Sequence, residues 1–488
     1  MREVRPQVTH AASGRRDREG APQCKLEPDS RLTFDDLLSA AHGGREARDT
    51  VAKNASTDGL TYSAFTGWTD RPTDFAPALE GEVRCDVAVV GGGLVGMAAA
   101  LRLAERGVDV VLLEAGYCGW GASSRNAGYL SNALAGDPQL LRLLYRSRLR
   151  DLVRYGESAA KFTEGLIGRL AIDCEYDPTG NVIAAVSTGQ LRHLRKNMQI
   201  LRDAGADVEF VDGRDFGLPG TFLGGIFERG GGLLNPGKLA FGLRAALLAS
   251  SAKVFERTAV QAVEPDSTSV VLSVPGGRVH AERVVLATNA HSRDLEIAPS
   301  GITPVWTSLV ETEPVDPDRL AAIGWTSRTG IITPHTILEN YRRTARGTIM
   351  FGTRRLQAAP PALGAHEPDR AVVADLVQGF HERFPSLGYV APRRAWGGWV
   401  AMTSFLPVAG EAAKNVFYAV SCNGHGLSQS PYVGTLLADR LAGDEIHDDL
   451  RAIWRPRPPY MPSLALGATA LKAGWVVDRV SDRLGRRR

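Results

Sequence analysis

The sequence predicts an α/β protein whose core is a parallel sheet with helices on its faces. Three observations predict it. A short apolar run, Val87 to Val90, ends in Gly91, Gly93 and Gly96. An amphipathic stretch over 94–106 follows, and a second apolar run closes on Glu114. Strand and helix signals then keep alternating, which builds parallel sheets rather than hairpins.

Each part of this first unit has a chemical reason. Gly91 permits a tight turn, Gly93 lets backbone approach a pyrophosphate, and Gly96 lets the helix pack close to the strand. The pyrophosphate is expected at the helix start, over Leu94 and Val95, where free N–H groups and the helix dipole favour anions. Glu114, followed by Ala115, falls about twenty residues on, where an acid accepts from ribose hydroxyls. This unit alone fits NAD or FAD. The run behind it separates them: Gly121, Ala122, Ser123, Ser124, Arg125, Asn126 and Gly128 are small or polar and follow the second strand directly. A flavin cofactor must be passed along backbone amides and small hydroxyls toward its ring, and a nicotinamide enzyme has no general need of such a run. FAD is the expected cofactor.

Downstream, 138–164 and 190–204 carry apolar residues at helical spacing, with a strand at 181–186 between them. Asn235 and Pro236 make an N-cap and first helical residue for a helix through Ala249. Strands are expected at 252–255, 260–264, 270–274 and 283–287. From 301 to 355 the pattern is mostly strands and turns. A helix is expected at 371–384. A strand at 416–421 runs into Asn423, Gly424, His425 and Gly426, and a helix is expected over 431–441. No repeat is visible.

The segment GASSRNAG after such a unit resembles the FAD-dependent amine and amino-acid oxidases, the family of glycine oxidase and sarcosine oxidase. Within it the chain is most similar to the γ-glutamylputrescine oxidase branch. Further matching stretches are GGLLNPGKLAFGL, RVVLATNAHS, NYRRTARGTIMFG and AVSCNGHGLSQSPYVG, so the resemblance runs from about Tyr62 to the C-terminus.

The resemblance implies a Rossmann-like, D-amino acid oxidase-like FAD domain of the glutathione-reductase type. It would be built from 80–172, 231–298 and 395–450. An α+β substrate domain on a mostly antiparallel sheet would take 173–230 and 299–394, with a tail at 451–488. It places Val260 beside the adenine, and Thr288 and Asn289 at a strand end near the cofactor. Gly424, His425, Gly426, Leu427 and Ser428 would present a helix start to the flavin ring and stabilise its reduced, anionic form. Some relatives bind FAD covalently through a cysteine. The matching position here is Val400, so non-covalent FAD is expected.

The implied reaction oxidises a C–N bond of a primary or secondary amine, a polyamine derivative or an amino-acid-like amine. Hydride goes to flavin N5, the imine hydrolyses, and oxygen becomes hydrogen peroxide. A dehydrogenase passing electrons to a quinone or protein, and a flavin-binding protein without turnover, stay open. Tyr129, Tyr341, Trp399 and His425 are the candidate catalytic residues, by nearness to the motifs. Glycine oxidase binds its substrate carboxylate with an arginine at the position of Trp399, so simple α-amino acids are disfavoured. Arg354 and Arg355 are candidates to hold a carboxylate instead.

Composition bounds the rest. Hydrophobic content of 44% and charged content of 23% are those of a globular protein. A net charge of +3 argues for neither nucleic acid nor a membrane surface. Five scattered cysteines exclude a zinc or disulfide framework and fit a reducing compartment, so a cytoplasmic enzyme without a metal is expected. No apolar run reaches the length of about eighteen residues needed to span a membrane. Residues 1–56 lack a signal-peptide core and read as a disordered extension, with one short helix capped by Thr33 and Asp36. The tail is expected to be a helix packed on the body with a frayed basic end.

Overall fold

The computed structural model describes residues 59–295, 301–360, 363–364, 366–403, 405–420, 422–455 and 467–485. The extension expected at 1–56, with its Thr33 and Asp36 cap, lies outside them.

Two large sheets share the chain. In the first, Gly81–Val90 pairs in parallel with Val110–Leu113 on one side and Gly277–Leu286 on the other. Lys253–Phe255 extends one edge. On the other side Gly277–Leu286 pairs with both Val270–Val274 and Val416–Val420. Val87, Ala88 and Val89 have no exposed surface. A strand covered on both faces reads as a continuous apolar run, which is why this one carries no alternation. Helix Leu94–Glu105 packs on the sheet, and helix Gly426–Leu441 packs on that helix. Their approach is close: a Cβ on Gly434 would lie 2.3 Å from the Val95 carbonyl oxygen.

The second sheet has ten strands and is mostly antiparallel. Its centre runs Pro392–Met402, Thr303–Pro314, Thr348–Thr353, Glu339–Arg343, Gly330–Ile332, Asn181–Ala185 and Gly224–Glu228. One face packs on helix Arg370–Arg383 through Val310, Phe351, Tyr341 and Phe380. The other face meets the loops that leave the first sheet. A two-stranded ribbon, Tyr129–Ser131 with Gly231–Leu233, stands between them.

Three expectations change. The stretch 138–164 is two helices, Pro138–Leu144 and Leu149–Arg169, the first capped by the Asp137 carboxylate on Gln139 and Leu140 N–H. The helix expected from 431 begins at Gly426, and Pro431 is tolerated inside it at the loss of one backbone bond. The strand Pro392–Met402 lies wholly in the second sheet, because Trp396 and Trp399 pair with Leu309 and Trp306. A boundary at 395 would therefore cut a strand.

The C-terminal helix Ala468–Gly485 docks on the body through Trp475 and Val476 against Ile337. Among the described residues no helix is long and apolar enough to cross a membrane, and no group of three or more His, Cys, Asp or Glu could hold a metal.

Candidate FAD and substrate site

The first turn leaves no room for a side chain. Gly91 has φ +104°, and a Cβ there would lie 2.8 Å from the Ala287 carbonyl oxygen. A Cβ on Gly96 would lie 1.9 Å from the Gly91 carbonyl oxygen, so the helix starts directly on the turn. Leu94 N–H donates to Ser123 Oγ at 3.0 Å, which ties the second run to that helix start. Glu114 faces the turn: its carboxylate accepts from Gly92 N–H at 2.6 Å and Gly116 N–H at 2.8 Å. Burial raises its pKa, and these N–H bonds oppose the rise.

The carbonyls of the second run are held away from this face. Ser124 O accepts from Thr66 Oγ1, Arg125 O from Trp396 Nε1 at 2.9 Å, and Asn126 O from Trp68 Nε1 at 2.8 Å. Asn126 folds the loop, its Oδ1 accepting from Gly128 N–H at 2.9 Å. Arg125 is 5% exposed. Its Nε donates to Trp120 O at 2.9 Å, its guanidinium lies over the Trp120 ring, and its Nη2 is buried with no partner. Burial pushes its pKa down to about 10. Ser124 Oγ is buried without a partner as well. A buried guanidinium nitrogen with no acceptor, on the run that is tied to a helix start, fits an anionic group rich in acceptors. The pyrophosphate and flavin portions of FAD are such groups.

The other expected contacts fall around this cradle. Ala287 and Thr288, at the end of Gly277–Leu286, meet the Gly91 turn. Asn289 follows with φ +44°. Val260 is half-buried in the loop beyond Lys253–Phe255, where Thr258 N–H donates to Glu114 O at 2.8 Å. Asn423 braces the second turn, accepting from Thr403 N–H at 2.7 Å. Gly424 has φ +89°, and His425 caps the helix. Burial holds the His425 imidazole below its ordinary pKa. Leu427 and Ser428 are buried in the first turn, and the Ser428 hydroxyl donates back to His425 O at 3.3 Å.

Strand parity decides which catalytic candidates reach this space. Tyr341 does not. Its ring packs with Phe351 and Phe384 on the helix-covered face, and its hydroxyl donates to Glu339 at 3.0 Å. Its neighbours Asn340 and Arg342 take the other face. Trp399 is also turned away, packing on Trp306 with ring centroids 4.9 Å apart. Gly398 instead faces the run, where an added Cβ would lie 3.5 Å from Arg125 Cβ. Tyr129 stays at the junction, donating to Ile331 O at 3.2 Å. Arg354 is committed to other carboxylates, and Arg355 is turned to the C-terminal helix. Arg354 is bound to Glu339 at 2.6 Å, and Arg355 lies over the Trp475 ring.

Proximity in sequence missed Asn340 and Arg342. Asn340 is 4% exposed, its Nδ2 donates to Thr353 Oγ1 at 3.0 Å, and its Oδ1 is buried with no partner. Arg342 Nη1 donates to the carbonyls of Ala127, Gly128 and Leu234 at 3.2, 2.8 and 2.7 Å, which clamps the second sheet to the cofactor run. A cavity of about 490 Å3 opens beside this clamp, lined in part by Glu175, Asp177, Leu233, Arg328 and Arg343.

This cradle, set against a mostly antiparallel sheet, defines an FAD-dependent oxidoreductase. The sequence profile of the family described as DAO, FAD dependent oxidoreductase, matches residues 86–440, and the chain belongs to that family. It is 30% identical over 425 residues to γ-glutamylputrescine oxidoreductase of Escherichia coli (strain K12), covering 84% of this chain and 96% of that one. It is 26% identical over 388 residues to glycine oxidase of Geobacillus kaustophilus (strain HTA426), covering 75% and 95%. The solved glycine oxidase of Geobacillus kaustophilus superposes with a TM-score of 0.61 at 24% identity, over 74% of this chain and 96% of that one. L-proline dehydrogenase of P. horikoshii shares the fold with a TM-score of 0.62 at 19% identity, over 74% and 93%.

Proposed function

We propose that this enzyme oxidises the C–N bond of a primary or secondary amine, a polyamine derivative or an amino-acid-like amine, with oxygen as electron acceptor. The observation that carries this reading is the buried Asn340 Oδ1, an unpaired acceptor on the face turned to the cofactor cradle. A neutral amine donates to such an atom. An α-carboxylate would need a free cation there, and Arg354 is already spent on Glu339. Similarity to γ-glutamylputrescine oxidoreductase supports the same substrate class.

FAD, when bound, takes up the two electrons released as the amine becomes an imine. The protein's share is positional. Gly91, Gly93 and Gly96 would admit the pyrophosphate to the Leu94–Glu105 helix start, and Glu114 would accept from the ribose. Arg125 Nη2 and Ser124 Oγ would fill their vacant bonds on the cofactor. The Gly426–Leu441 helix start offers free N–H groups to negative charge on the flavin ring. Asn340 orients the amine, Tyr129 closes the junction, and Trp68, Leu309, Met350 and Trp396 form a dry wall beside it. His425, whose pKa burial lowers, stands at the start of the Gly426–Leu441 helix. Water then adds to the imine. Oxygen takes two electrons and two protons to give hydrogen peroxide.

In this reading 80–172, 231–298 and 408–450 form the FAD domain, 173–230 with 301–402 forms the substrate domain, and 451–488 is a tail. The substrate is a small cytoplasmic amine. FAD is held non-covalently, since Val400 stands where some relatives carry a linking cysteine. Acid precipitation should release the yellow colour into the supernatant, and colour kept in the pellet would overturn that point. Anaerobic titration of the purified flavoprotein with primary and secondary amines should bleach the flavin, and admitting air should restore it with peroxide. Bleaching without peroxide on aeration would move the acceptor to a quinone or protein. No bleaching by any amine would overturn the reading.

A further inference from the structure

We propose that Glu228, with Ser131 and Asn181, forms a subsite for a second, remote ammonium group of an elongated amine substrate. The subsite rests on the amine-oxidation reading above and sharpens its substrate class.

Its position follows from strand register. Asn181 and Glu228 stand directly opposite each other, so their side chains share one face of the second sheet. Gly330 pairs with Asn181, and the Tyr129 ring occupies the space above it: an added Cβ there would lie 2.4 Å from Tyr129 Cε1. Ser131, two residues beyond Tyr129, points the same way and donates to Glu228 Oε2 at 3.1 Å. Asn181 Nδ2 donates to Leu130 O at 2.9 Å. The cluster is therefore the continuation of the wall that begins at the cofactor run. The other cofactor-facing element reaches it too, because Gln429, early in the Gly426–Leu441 helix, donates to Ala133 O at 3.3 Å.

The chemistry of the cluster is one-sided. Glu228 is 3% exposed, and among the described residues no Lys, Arg or His forms an ion pair with it. Burial pushes its carboxyl pKa up to about 7. Asn181 Oδ1 is buried with no partner. The vacant atom beside Glu228 is an acceptor, so the missing partner is a donor. An alkylammonium brings three N–H donors and a positive charge that favours the ionised form of the buried carboxyl. Water would fill the bonds without supplying that charge.

The span sets the ligand's length. Asn340 and Glu228 lie three strands apart and two residues out of level, which is about 16 Å at ordinary strand spacing and rise. Side chains reaching inward shorten the gap. The fitting molecule is an extended chain with an oxidisable amine at one end and an ammonium at the other.

The test compares FAD-loaded wild type with Glu228→Gln, using 1,ω-diamines and monoamines of equal length in anaerobic flavin reduction. In wild type the diamine of fitting length should exceed its monoamine in kcat/KM by about tenfold or more, the scale of one charge-assisted contact. Glu228→Gln should remove that advantage and leave the monoamine within about twofold. Absence of a diamine preference in wild type, or its persistence in the variant, overturns the subsite while amine oxidation stands. Should no amine reduce the flavin, the oxidation reading falls by itself. Diamine titration followed by the flavin spectrum then decides the subsite. It holds if Glu228→Gln weakens diamine binding about tenfold, and it falls if affinity is unchanged. If Glu228→Gln does not load FAD, Ser131→Ala, which removes the hydroxyl donor to the carboxylate, carries the same comparison. It should shrink the diamine advantage, and an unchanged ratio overturns the subsite.

Discussion

Asn340 and Tyr341 are consecutive residues of one strand, and they serve opposite faces of its sheet. Tyr341 closes a hydrogen bond to Glu339 inside an aromatic core, while Asn340 holds an unpaired oxygen toward the cofactor cradle. One residue of parity thus separates a stabilising side chain from a substrate-facing one.

This separation predicts two different phenotypes. Tyr341→Phe removes one buried hydrogen bond and should cost about 1 kcal/mol or somewhat more in unfolding free energy, because Glu339 keeps its arginines. Its rate of anaerobic flavin reduction should match wild type. Asn340→Leu keeps the volume and removes the acceptor. It should retain FAD and lower the reduction rate by about 10- to 100-fold, as loss of a positioning contact does. Stopped-flow flavin bleaching and thermal melts on the two variants measure both effects.

The cofactor cradle predicts a graded loss of FAD. Gly96→Ala sets a Cβ against the Gly91 carbonyl at 1.9 Å, so the turn must move and the purified protein should be colourless. Arg125→Met keeps the buried stem and deletes the unpartnered Nη2. A charge-assisted bond of about 1.5–3 kcal/mol translates to a rise in the FAD dissociation constant of roughly 10- to 150-fold. Fluorescence titration of the apoprotein with FAD checks both. Full FAD content in Gly96→Ala would contradict the close approach.

What was legible in the chain follows from the range of the forces involved. The turn at Gly91–Gly96 and the Asn235 cap are local, and each was readable because a few adjacent residues determine the backbone. FAD was readable for the same reason, from the small polar run after Glu114. The catalytic wall was not. Whether Trp399 or Gly398 faces Arg125 depends on how Pro392–Met402 registers with Thr303–Pro314, and that pairing is set by contacts distant in sequence. Asn340, Arg342 and Glu228 carry no motif, since their roles arise from partners on other elements. Arg354 and Arg355 suggested a carboxylate site only because Glu339 and Trp475 could not be placed beside them.

The Arg342 clamp predicts a coupling between the two sheets. Its guanidinium is buried, with three carbonyl acceptors at Ala127, Gly128 and Leu234, and burial pushes its pKa down to about 10. Arg342→Met leaves those carbonyls without this donor and frees the end of the cofactor run. The variant should lose several kcal/mol of stability and bind FAD more weakly, although Arg342 is not placed as a direct FAD contact. Hydrogen exchange should show faster opening of 127–131. Unchanged exchange there would mean that the run is held by Trp68, Trp396 and Thr66 alone.

The C-terminal helix predicts an acid-sensitive step. Glu339 binds Arg354, Arg383 and Arg479 at 2.6, 2.8 and 2.6 Å, and the last of these comes from the Ala468–Gly485 helix. From the same helix Asp482 binds Arg383 at 2.7 Å and lies 2.9 Å from His335 Nε2. Hydrogen bonding to His335 and the charge of Arg383 hold the Asp482 carboxyl down to about 2, against the burial that would raise it. A group whose folded pKa is depressed stabilises the fold fully above its unfolded value, about 3.9, and loses that contribution as pH falls through the folded value. The window is therefore about pH 4 to 2, and the contribution is about 2–3 kcal/mol at neutral pH. Acid should first release this helix, exposing Trp475, whose indole N–H donates to Asp375 at 3.0 Å. Asp482→Asn should remove that window and lower stability at pH 7, because Arg383 and Arg479 then share one fewer buried carboxylate. Glu339→Gln should cost more, about 3–5 kcal/mol, since it removes the buried carboxylate that three guanidinium groups share. Tryptophan fluorescence followed through an acid titration of wild type and both variants tests the order. A wild-type transition that begins well above pH 4 would assign the step to a different group.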